Sequence, residues 1–284
     1  MAHGGKKTAS VIIILLAASL AACATTKDRL VHADQIAHQG GLTRNGVPAG
    51  IFTLTTYSRI SDPAQPINFY IEGDGLAWLS RTRLSPDPTP QQAIGLSLAA
   101  LDPSPNVVYL ARPCQFVDLK QTACDSAYWS DKRYSKEVID SMNRAVDFFV
   151  RQTNARKINL IGYSGGGAVA VLLAACRHDV STLRTVAGNL DHEFVNRLHH
   201  VSPMPESLNP IDVSLMLSAL PQLHFVGADD SVIPQSVAES FVRHAGDSSC
   251  IRIIAVKDAT HDSGWRERWP TLLKLLPNCI TGKN

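Results

Sequence analysis

The fold is decided by one stretch of the sequence, Lys157-Ile158-Asn159-Leu160-Ile161-Gly162-Tyr163-Ser164-Gly165-Gly166-Gly167-Ala168-Val169-Ala170. An alternating, β-prone run ends at Gly162, a serine between glycines follows, and then an apolar run begins. The segment 162–166 fits the pattern G-x-S-x-G, in which the serine occupies a sharp turn from a strand into a helix. Side chains two residues to either side of that serine would collide, so we expect small residues there. The helix after Ser164 points free backbone N–H groups toward any negative charge that develops at the turn.

Strands and helices alternate on both sides of this stretch. Apolar, β-prone runs predict strands over residues 51–57, 67–71, 106–111, 157–162, 182–188, 223–227 and 250–256. Helical periodicity predicts helices over 91–101, 135–151 and 165–174, and a last helix that ends before Pro277. This alternation is typical of the α/β class, so residues 50–284 are predicted to form one α/β domain.

The composition is that of an ordinary globular protein. The chain has 284 residues, a net charge of +2 and 45% hydrophobic residues, enough to bury a sizeable core. It has no basic run longer than a pair such as Lys6-Lys7, so a nucleic-acid partner is not expected.

The N-terminus carries an export signal. Lys6-Lys7 precede a short apolar run, and Leu20-Ala21-Ala22-Cys23 resembles the bacterial lipobox. In such signals residues 1–22 are removed and the cysteine is lipidated, although a plain secretory peptide is the alternative. A lipid on Cys23 would anchor the protein in the membrane facing the periplasm, and Ala24 in place of aspartate resembles signals sorted to the outer membrane. Residues 24–45 show no periodicity, so 23–49 is predicted to be a polar tether.

Export permits disulfides. Five cysteines follow position 23: Cys114, Cys124, Cys176, Cys250 and Cys279. Cys114 and Cys124 bracket one loop, which favours a bond between them. Cys250 starts a strand and Cys279 follows the returning last helix, so both should lie at one edge of the sheet and pair. Cys176 ends an apolar helix and is predicted to be the buried free thiol.

Two downstream segments complete a chemical pattern with Ser164. The strand at 223–227 leads into Gly227-Ala228-Asp229-Asp230, with Pro234 four residues later, and the strand at 250–256 leads to His261. A serine, an acid and a histidine therefore follow strand ends in that order. Residues 50–278 resemble the α/β-hydrolases in this order, spacing and context. The resemblance implies a doubly wound, mainly parallel sheet with helices on both faces, and catalytic residues at the C-terminal ends of the strands.

The resemblance also implies roles for individual residues. Ser164 would be the nucleophile, His261 its general base and Asp230 the acid that orients the histidine. Asp229 would be a turn residue, and Asp191, after the preceding strand, is the alternative acid. No metal or organic cofactor is needed.

An oxyanion hole is expected from two loops. One donor is the backbone N–H of Gly165, and the other is that of Asp74 or Gly75 in Glu72-Gly73-Asp74-Gly75, which follows the strand at 67–71. α/β-Hydrolases have His-Gly-x-Gly there, and Glu72 replaces the histidine. This leaves the role of Glu72 open.

Two irregular segments remain. One is the long loop from Arg112 to Arg133, with the adjacent Tyr134. Its side chains could shape a pocket, through Arg112, Trp129, Arg133 and Tyr134. Alternatively, Trp129 and Tyr134 only pack the loop against the domain. The Pro-rich segment 192–220 is where α/β-hydrolases commonly insert a cap.

The sequence thus predicts a membrane-tethered serine hydrolase that cleaves carboxylic esters. The same triad could serve a peptidase, thioesterase or lipase, since fold does not determine substrate. The contrasting class is a catalytically silent envelope binding protein, which a serine-directed probe would fail to label.

Overall fold

The computed structural model describes Met1 and residues 25–121, 123–246 and 248–280. Within these residues the chain forms one eight-stranded sheet and seven α-helices. The strands are β1 (Thr43–Ala49), β2 (Phe52–Ile60), β3 (Ile67–Ile71), β4 (Asn106–Leu110), β5 (Ile158–Tyr163), β6 (Val180–Val186), β7 (Gln222–Gly227) and β8 (Ile251–Val256). The helices are α1 (Thr26–Gln39), α2 (Ile94–Ala100), α3 (Lys136–Val150), α4 (Gly165–Cys176), α5 (His192–His199), α6 (Gln235–His244) and α7 (Trp265–Leu272).

The sheet has the strand order β1-β2-β4-β3-β5-β6-β7-β8. β1 and β2 are antiparallel to their neighbours. The other six strands, β3 to β8, run parallel to one another. The loop 72–75, Ser164, Asp230 and His261 follow β3, β5, β7 and β8 respectively. Parallel pairing therefore brings all four to one edge, which we call the C-terminal edge of the sheet.

Helices cover both faces of the sheet. One apolar core lies under α3, α4 and α6, and a second lies under α1, α2 and α7. Helix α4 is buried from Gly165 to Ala174, as its apolar sequence predicts. On the other face Trp269 contacts Tyr70 and Phe225 edge-on, with ring centroids 6.0 Å and 5.9 Å away. The predicted doubly wound, mainly parallel α/β fold is confirmed.

The predicted polar tether over 23–49 is wrong, because most of it is folded. α1 begins at Thr26, and Thr25 caps it through a reciprocal pair of hydrogen bonds with Asp28. Its residues Ala33, Ile36 and Ala37 are buried. The following segment forms β1, which pairs with β2 along its whole length. The helix was missed because only three of its residues are buried, which leaves a weak periodicity.

The segment 192–220, predicted as a cap over the site, packs elsewhere. It forms α5 and two short 3-10 turns at Pro210–Val213 and Leu215–Leu217. Both turns pack against α4, and the N–H of Leu208 donates to the carbonyl of Tyr134 at 3.1 Å. The physical reason is that α4 is apolar on all sides, so its outer side also needs a cover.

Both predicted disulfides are present. Cys114 bonds to Cys124 and Cys250 bonds to Cys279. Helix α7 ends at Leu272, earlier than the helix predicted to run up to Pro277, and irregular chain after Leu272 completes the return. Cys176 is free as predicted but is exposed rather than buried, because it is the last residue of α4, beyond the buried stretch that ends at Ala174.

The signal segment and its cysteine cannot be compared with the structure. Residues 2–24, including Cys23, lie outside the described residues. Among the helices that are described, none is both long and apolar enough to cross a membrane.

Candidate active site

Ser164 lies at the turn between β5 and α4 in an unusual backbone conformation. Its φ is 51° and its ψ is −121°, a region that is costly for a residue with a side chain. Three backbone hydrogen bonds hold it: its N–H donates to Val186 at 2.9 Å, and its carbonyl accepts from Gly167 at 2.9 Å and Asn189 at 3.0 Å. These bonds maintain the strained turn that presents the hydroxyl at the C-terminal edge.

The glycines around Ser164 are required by close backbone packing. A Cβ on Gly162 would lie 2.2 Å from the carbonyl oxygen of Gly166, and a Cβ on Gly166 would lie 2.2 Å from that of Ile71. Neither backbone atom can move without displacing a strand or the helix. The steric reason given for small residues two positions from Ser164 is therefore confirmed.

The structure brings Ser164, His261 and Asp230 into one hydrogen-bonded chain. Ser164 Oγ lies 2.9 Å from His261 Nε2, and His261 Nδ1 lies 3.0 Å from Asp230 Oδ2. A carboxylate can only accept, so Nδ1 carries the proton and Nε2 is free to accept the serine proton. The other oxygen of Asp230 accepts the N–H groups of Val232 and Ile233, both at 2.8 Å.

The loop that carries His261 is held by two aromatic side chains. The hydroxyl of Tyr163 and the indole N–H of Trp265 donate to the carbonyl of His261 at 3.1 Å and 3.0 Å. The ring of Tyr163 also lies beside the imidazole, with centroids 5.8 Å apart. The residue before the candidate nucleophile therefore positions the candidate base.

The alternative acids have other partners. Asp191 caps α5, where its Oδ1 accepts the N–H of Phe194 and the amide of Asn209, both at 3.0 Å. Asp229 is exposed, and its N–H donates to Ala259 at 3.0 Å. Of the three acids, only Asp230 contacts His261.

The loop 72–75 lies directly against the turn that carries Ser164. A Cβ on Gly73 would lie 3.2 Å from Ser164 Cβ, and a Cβ on Gly165 would lie 2.0 Å from Asp74 Oδ1. Among the described residues, the N–H groups of Asp74, Gly75 and Gly165 have no hydrogen-bond partner. These three unpaired donors belong to the two loops from which an oxyanion hole is expected.

The side chain of Asp74 fixes this loop, a role that sequence reasoning missed. Its carboxylate accepts from Arg112 at 3.1 Å, from Arg133 at 2.9 Å and from the hydroxyl of Tyr134 at 3.1 Å. Burial alone would raise the pKa of Asp74, but the two guanidinium groups more than offset it, so that pKa lies below its ordinary value. The ionised carboxylate also lies at the first turn of α4, where negative charge is favourable.

Glu72, which stands where the α/β-hydrolase pattern has histidine, ties the same loop to α2. Its buried carboxyl accepts the N–H groups of Gly73, Gly95 and Leu96 at 2.9 Å, 3.1 Å and 3.3 Å, and the hydroxyl of Tyr109 at 3.0 Å. Burial raises the pKa of Glu72, and these hydrogen bonds offset the rise only in part. Its role is to satisfy the first turn of α2, a contact between distant segments that no local pattern indicates.

A cavity of about 450 Å³ opens beside Ser164. We call it the Ser164 cavity, and its walls include Glu72, the run from Asp74 to Trp78, Arg133 and His261, together with Pro90. Of the four loop residues proposed to shape a pocket, Arg133 lines this cavity, whereas Arg112, Trp129 and Tyr134 do not. Trp129 packs the loop down, with its indole N–H donating to Ser85 at 3.0 Å.

No residue of 192–220 lines the Ser164 cavity. A group of three or more His, Cys, Asp or Glu side chains suited to a metal ion does not occur in the described ranges of the chain.

By sequence, no protein-family profile and no curated protein matches the chain. By structure, many solved proteins have a similar fold. A putative dienelactone hydrolase from Klebsiella pneumoniae matches with a TM-score of 0.56 and 17% identity, over 82% of this chain and 96% of that one. An α/β serine hydrolase without a lid from Xanthomonas campestris matches with a TM-score of 0.52 and 14% identity, over 81% and 92%.

A longer protein is similar as well. The acylaminoacyl peptidase of Pyrococcus horikoshii matches with a TM-score of 0.58 and 11% identity, over 86% of this chain. The present chain spans only 42% of that peptidase. At these identities the comparisons establish the fold of the α/β serine hydrolases, and the chemistry has to be argued from the site.

Proposed function

We propose that this chain is a lipid-anchored serine hydrolase of the bacterial cell envelope that cleaves carboxylic esters through an acyl-enzyme. The observation that carries the proposal is the continuous hydrogen-bonded chain from Ser164 through His261 to Asp230. A serine hydroxyl is a weak nucleophile at neutral pH, and this arrangement supplies the base that activates it.

The chemistry follows from the contacts. His261 Nε2 takes the proton of Ser164 as Oγ bonds to the ester carbonyl carbon, and the carbonyl electron pair moves onto oxygen. The N–H of Gly165, with that of Asp74 or Gly75, would bind this oxyanion, and each such donor is typically worth about 3 kcal/mol. Protonated His261 then gives its proton to the leaving alcohol as the C–O bond breaks. Water attacks the acyl-enzyme by the same route and frees Ser164.

The test is covalent labelling combined with turnover. A fluorophosphonate probe should label Ser164, as read by peptide mapping, and wild-type protein should hydrolyse p-nitrophenyl esters. Ser164→Ala should lose both while keeping its melting temperature within a few degrees.

Other outcomes assign other functions. Faster turnover of peptide p-nitroanilides than of esters would identify a peptidase. Labelling of another residue, or undiminished turnover by Ser164→Ala, would refute the role of Ser164. Absence of labelling and of turnover in wild type would favour a silent binding protein.

The anchor is a separate part of the proposal. It is supported by Leu20-Ala21-Ala22-Cys23 and by the two disulfides, which suit an oxidising compartment. Wild-type cells should incorporate radiolabelled palmitate into the protein, and Cys23→Ser should stay unprocessed and unlabelled. Efficient processing of Cys23→Ser would indicate an ordinary secretory signal.

A further inference from the structure

The N-terminal end of α1 lies beside the wall of the Ser164 cavity. Thr26 donates through its hydroxyl to the carboxylate of Asp87, and Arg29 Nη1 donates to the carbonyl of Thr89 at 2.8 Å. Asp87 and Thr89 belong to the segment whose next residue, Pro90, lines the cavity. The start of α1 is therefore at the C-terminal edge of the sheet.

The other end of α1 lies at the opposite edge. Arg59 donates to the carbonyl of Gly40, which caps α1, and to those of Asp102 and Ser104 at 2.6 Å and 2.8 Å. Asp102 and Ser104 shortly precede Asn106, where β4 begins. The 14 residues of α1 span about 21 Å, and a parallel strand of six residues rises about 20 Å. α1 thus runs antiparallel to the parallel strands along their full length.

This orientation determines where a lipid on Cys23 would be. Only Ala24 separates Cys23 from Thr25, the residue that caps α1. Two peptide units span at most about 7 Å, whereas the tether predicted from the sequence would have allowed about 90 Å. A lipidated Cys23 would therefore hold the C-terminal edge, with the mouth of the Ser164 cavity, at the membrane surface.

Exposed apolar side chains lie on the segment of Trp78, which lines that cavity, and on two segments bonded to it. Trp78, Leu79, Leu198, Val201 and Val232 are 42%, 42%, 45%, 44% and 46% exposed. These side chains belong to three segments of the chain, at 78–79, 198–201 and 232, which are joined by hydrogen bonds. Arg81 donates to the carbonyl of His199 at 3.0 Å, and His199 Nε2 donates to that of Val232 at 2.7 Å. We call these five side chains the apolar rim.

The chemistry of the rim suits a lipid surface. An indole beside aliphatic side chains is typical of proteins that enter the boundary between headgroups and acyl chains. Exposed Arg81 and Arg83, which follow Leu79 in the chain, offer positive charge to anionic headgroups. A second cavity of about 370 Å³ shares Gln92, Ile94 and Asp262 with the Ser164 cavity and extends to Ile36 of α1.

We propose that the apolar rim docks on the phospholipid bilayer, and that the substrate is an ester of a long-chain amphiphile presented from that bilayer. This inference rests on the proposed function: its substrate class rests on the hydrolase activity, and the orientation of the rim toward the bilayer rests on the lipid anchor at Cys23. The acyl chain would enter past Trp78 and lie in the second cavity, while the scissile carbonyl reaches Ser164.

Docking is tested by fluorescence of the lipidated full chain on vesicles of phosphatidylethanolamine and phosphatidylglycerol. Trp78 is the only exposed tryptophan, because Trp129, Trp265 and Trp269 are 6%, 1% and 0% exposed. Brominated acyl chains should quench wild-type emission, and Trp78→Phe should abolish that quenching. Unquenched wild-type emission would overturn the docking surface, and a dimer in solution that Leu79→Ser disrupts would assign the rim to a second copy of the chain.

The substrate class is tested with a fluorogenic diacylglycerol in those vesicles and with soluble p-nitrophenyl acetate. Leu79→Ser should lower turnover of the vesicle ester about tenfold, the effect of removing one buried leucine from the interface, and leave the acetate rate unchanged. Leu276→Ser is the matched control, since Leu276 is 70% exposed and its carbonyl bonds to Arg252 near the start of β8. It should change neither rate.

Two results distinguish a wrong substrate class from a wrong proposed function. Equal vesicle turnover by Leu79→Ser and wild type, with acetate hydrolysed, would overturn the membrane-presented substrate and leave the hydrolase intact. If wild type hydrolyses neither ester and the fluorophosphonate probe leaves Ser164 unlabelled, the proposed function and the substrate class fail together, and the quenching experiment still decides the docking surface.

Discussion

Replacing both Cys250 and Cys279 by serine should destabilise the protein and leave its chemistry unchanged. The bond joins residues 29 positions apart, and in the chain-entropy model such a loop is worth about 3.6 kcal/mol at 25 °C. For a domain of this size the melting temperature falls by about 2–4 °C per kcal/mol, so a loss of about 7–14 °C is expected. Cys250 directly precedes β8 and His261 follows its far end, about 20 Å away.

The double variant avoids a free thiol at 250 or 279 that could exchange with exposed Cys176. Calorimetry gives the melting temperature, and p-nitrophenyl ester hydrolysis at 15 °C gives kcat, which should stay within twofold of wild type.

The matched comparison is Cys114→Ser with Cys124→Ser. That bond closes a loop of only 10 residues, worth about 2.7 kcal/mol, but it adjoins Gln115, which donates to the carbonyl of Gly73 at 3.0 Å. This double variant should lose less thermal stability than the Cys250 and Cys279 variant, and its kcat should fall further. A large kcat loss in the Cys250 and Cys279 variant, with an unchanged melting temperature, would refute the reasoning.

Three further results are expected. Asp230→Asn should lower kcat by about 10⁴ because it imposes the wrong tautomer on His261, and Asp191→Asn should leave kcat near wild type; the reverse order would identify Asp191 as the acid. Ser164→Gly should be more stable than Ser164→Ala by about 1 kcal/mol in urea unfolding, because glycine relieves the positive φ; a less stable glycine variant would contradict the strain. Burial lowers the pKa of His224 from 6.5 to about 3, so its protonation favours the unfolded chain as the pH falls below 6.5. From pH 7.5 to 5.0 wild type should lose about 2 kcal/mol more than His224→Gln; equal losses would exclude His224 as the cause.

The sequence by itself determined the features that local sterics and chain order decide. Gly162 and Gly166 could be explained before the structure because a serine turn between a strand and a helix excludes side chains at both positions. Ser164, Asp230 and His261 each follow a predicted strand, in that order. Their meeting at one edge could be predicted because parallel strands bring their C-terminal ends together. The Cys250–Cys279 disulfide followed from strand direction and chain return, and the Cys114–Cys124 disulfide followed from the single loop that those cysteines bracket.

Only the tertiary structure decided which segments cover which surfaces. α1 has three buried residues, too few for a clear periodicity, and its position is determined by bonds to Asp87 and Thr89, about sixty residues away. The segment 192–220 covers α4 instead of the cavity because a helix that is apolar all round needs a second cover. Both outcomes depend on the competing apolar surfaces of the whole chain.

The same division runs through the candidate site. The triad is visible in the sequence because each member follows its own strand. The carboxyl groups of Glu72 and Asp74 take their roles from Tyr109, Arg112, Arg133 and Tyr134, which lie 37 to 60 residues away. A buried carboxyl group needs hydrogen bonds or opposite charge wherever the fold supplies them, and no sequence pattern states where that will be.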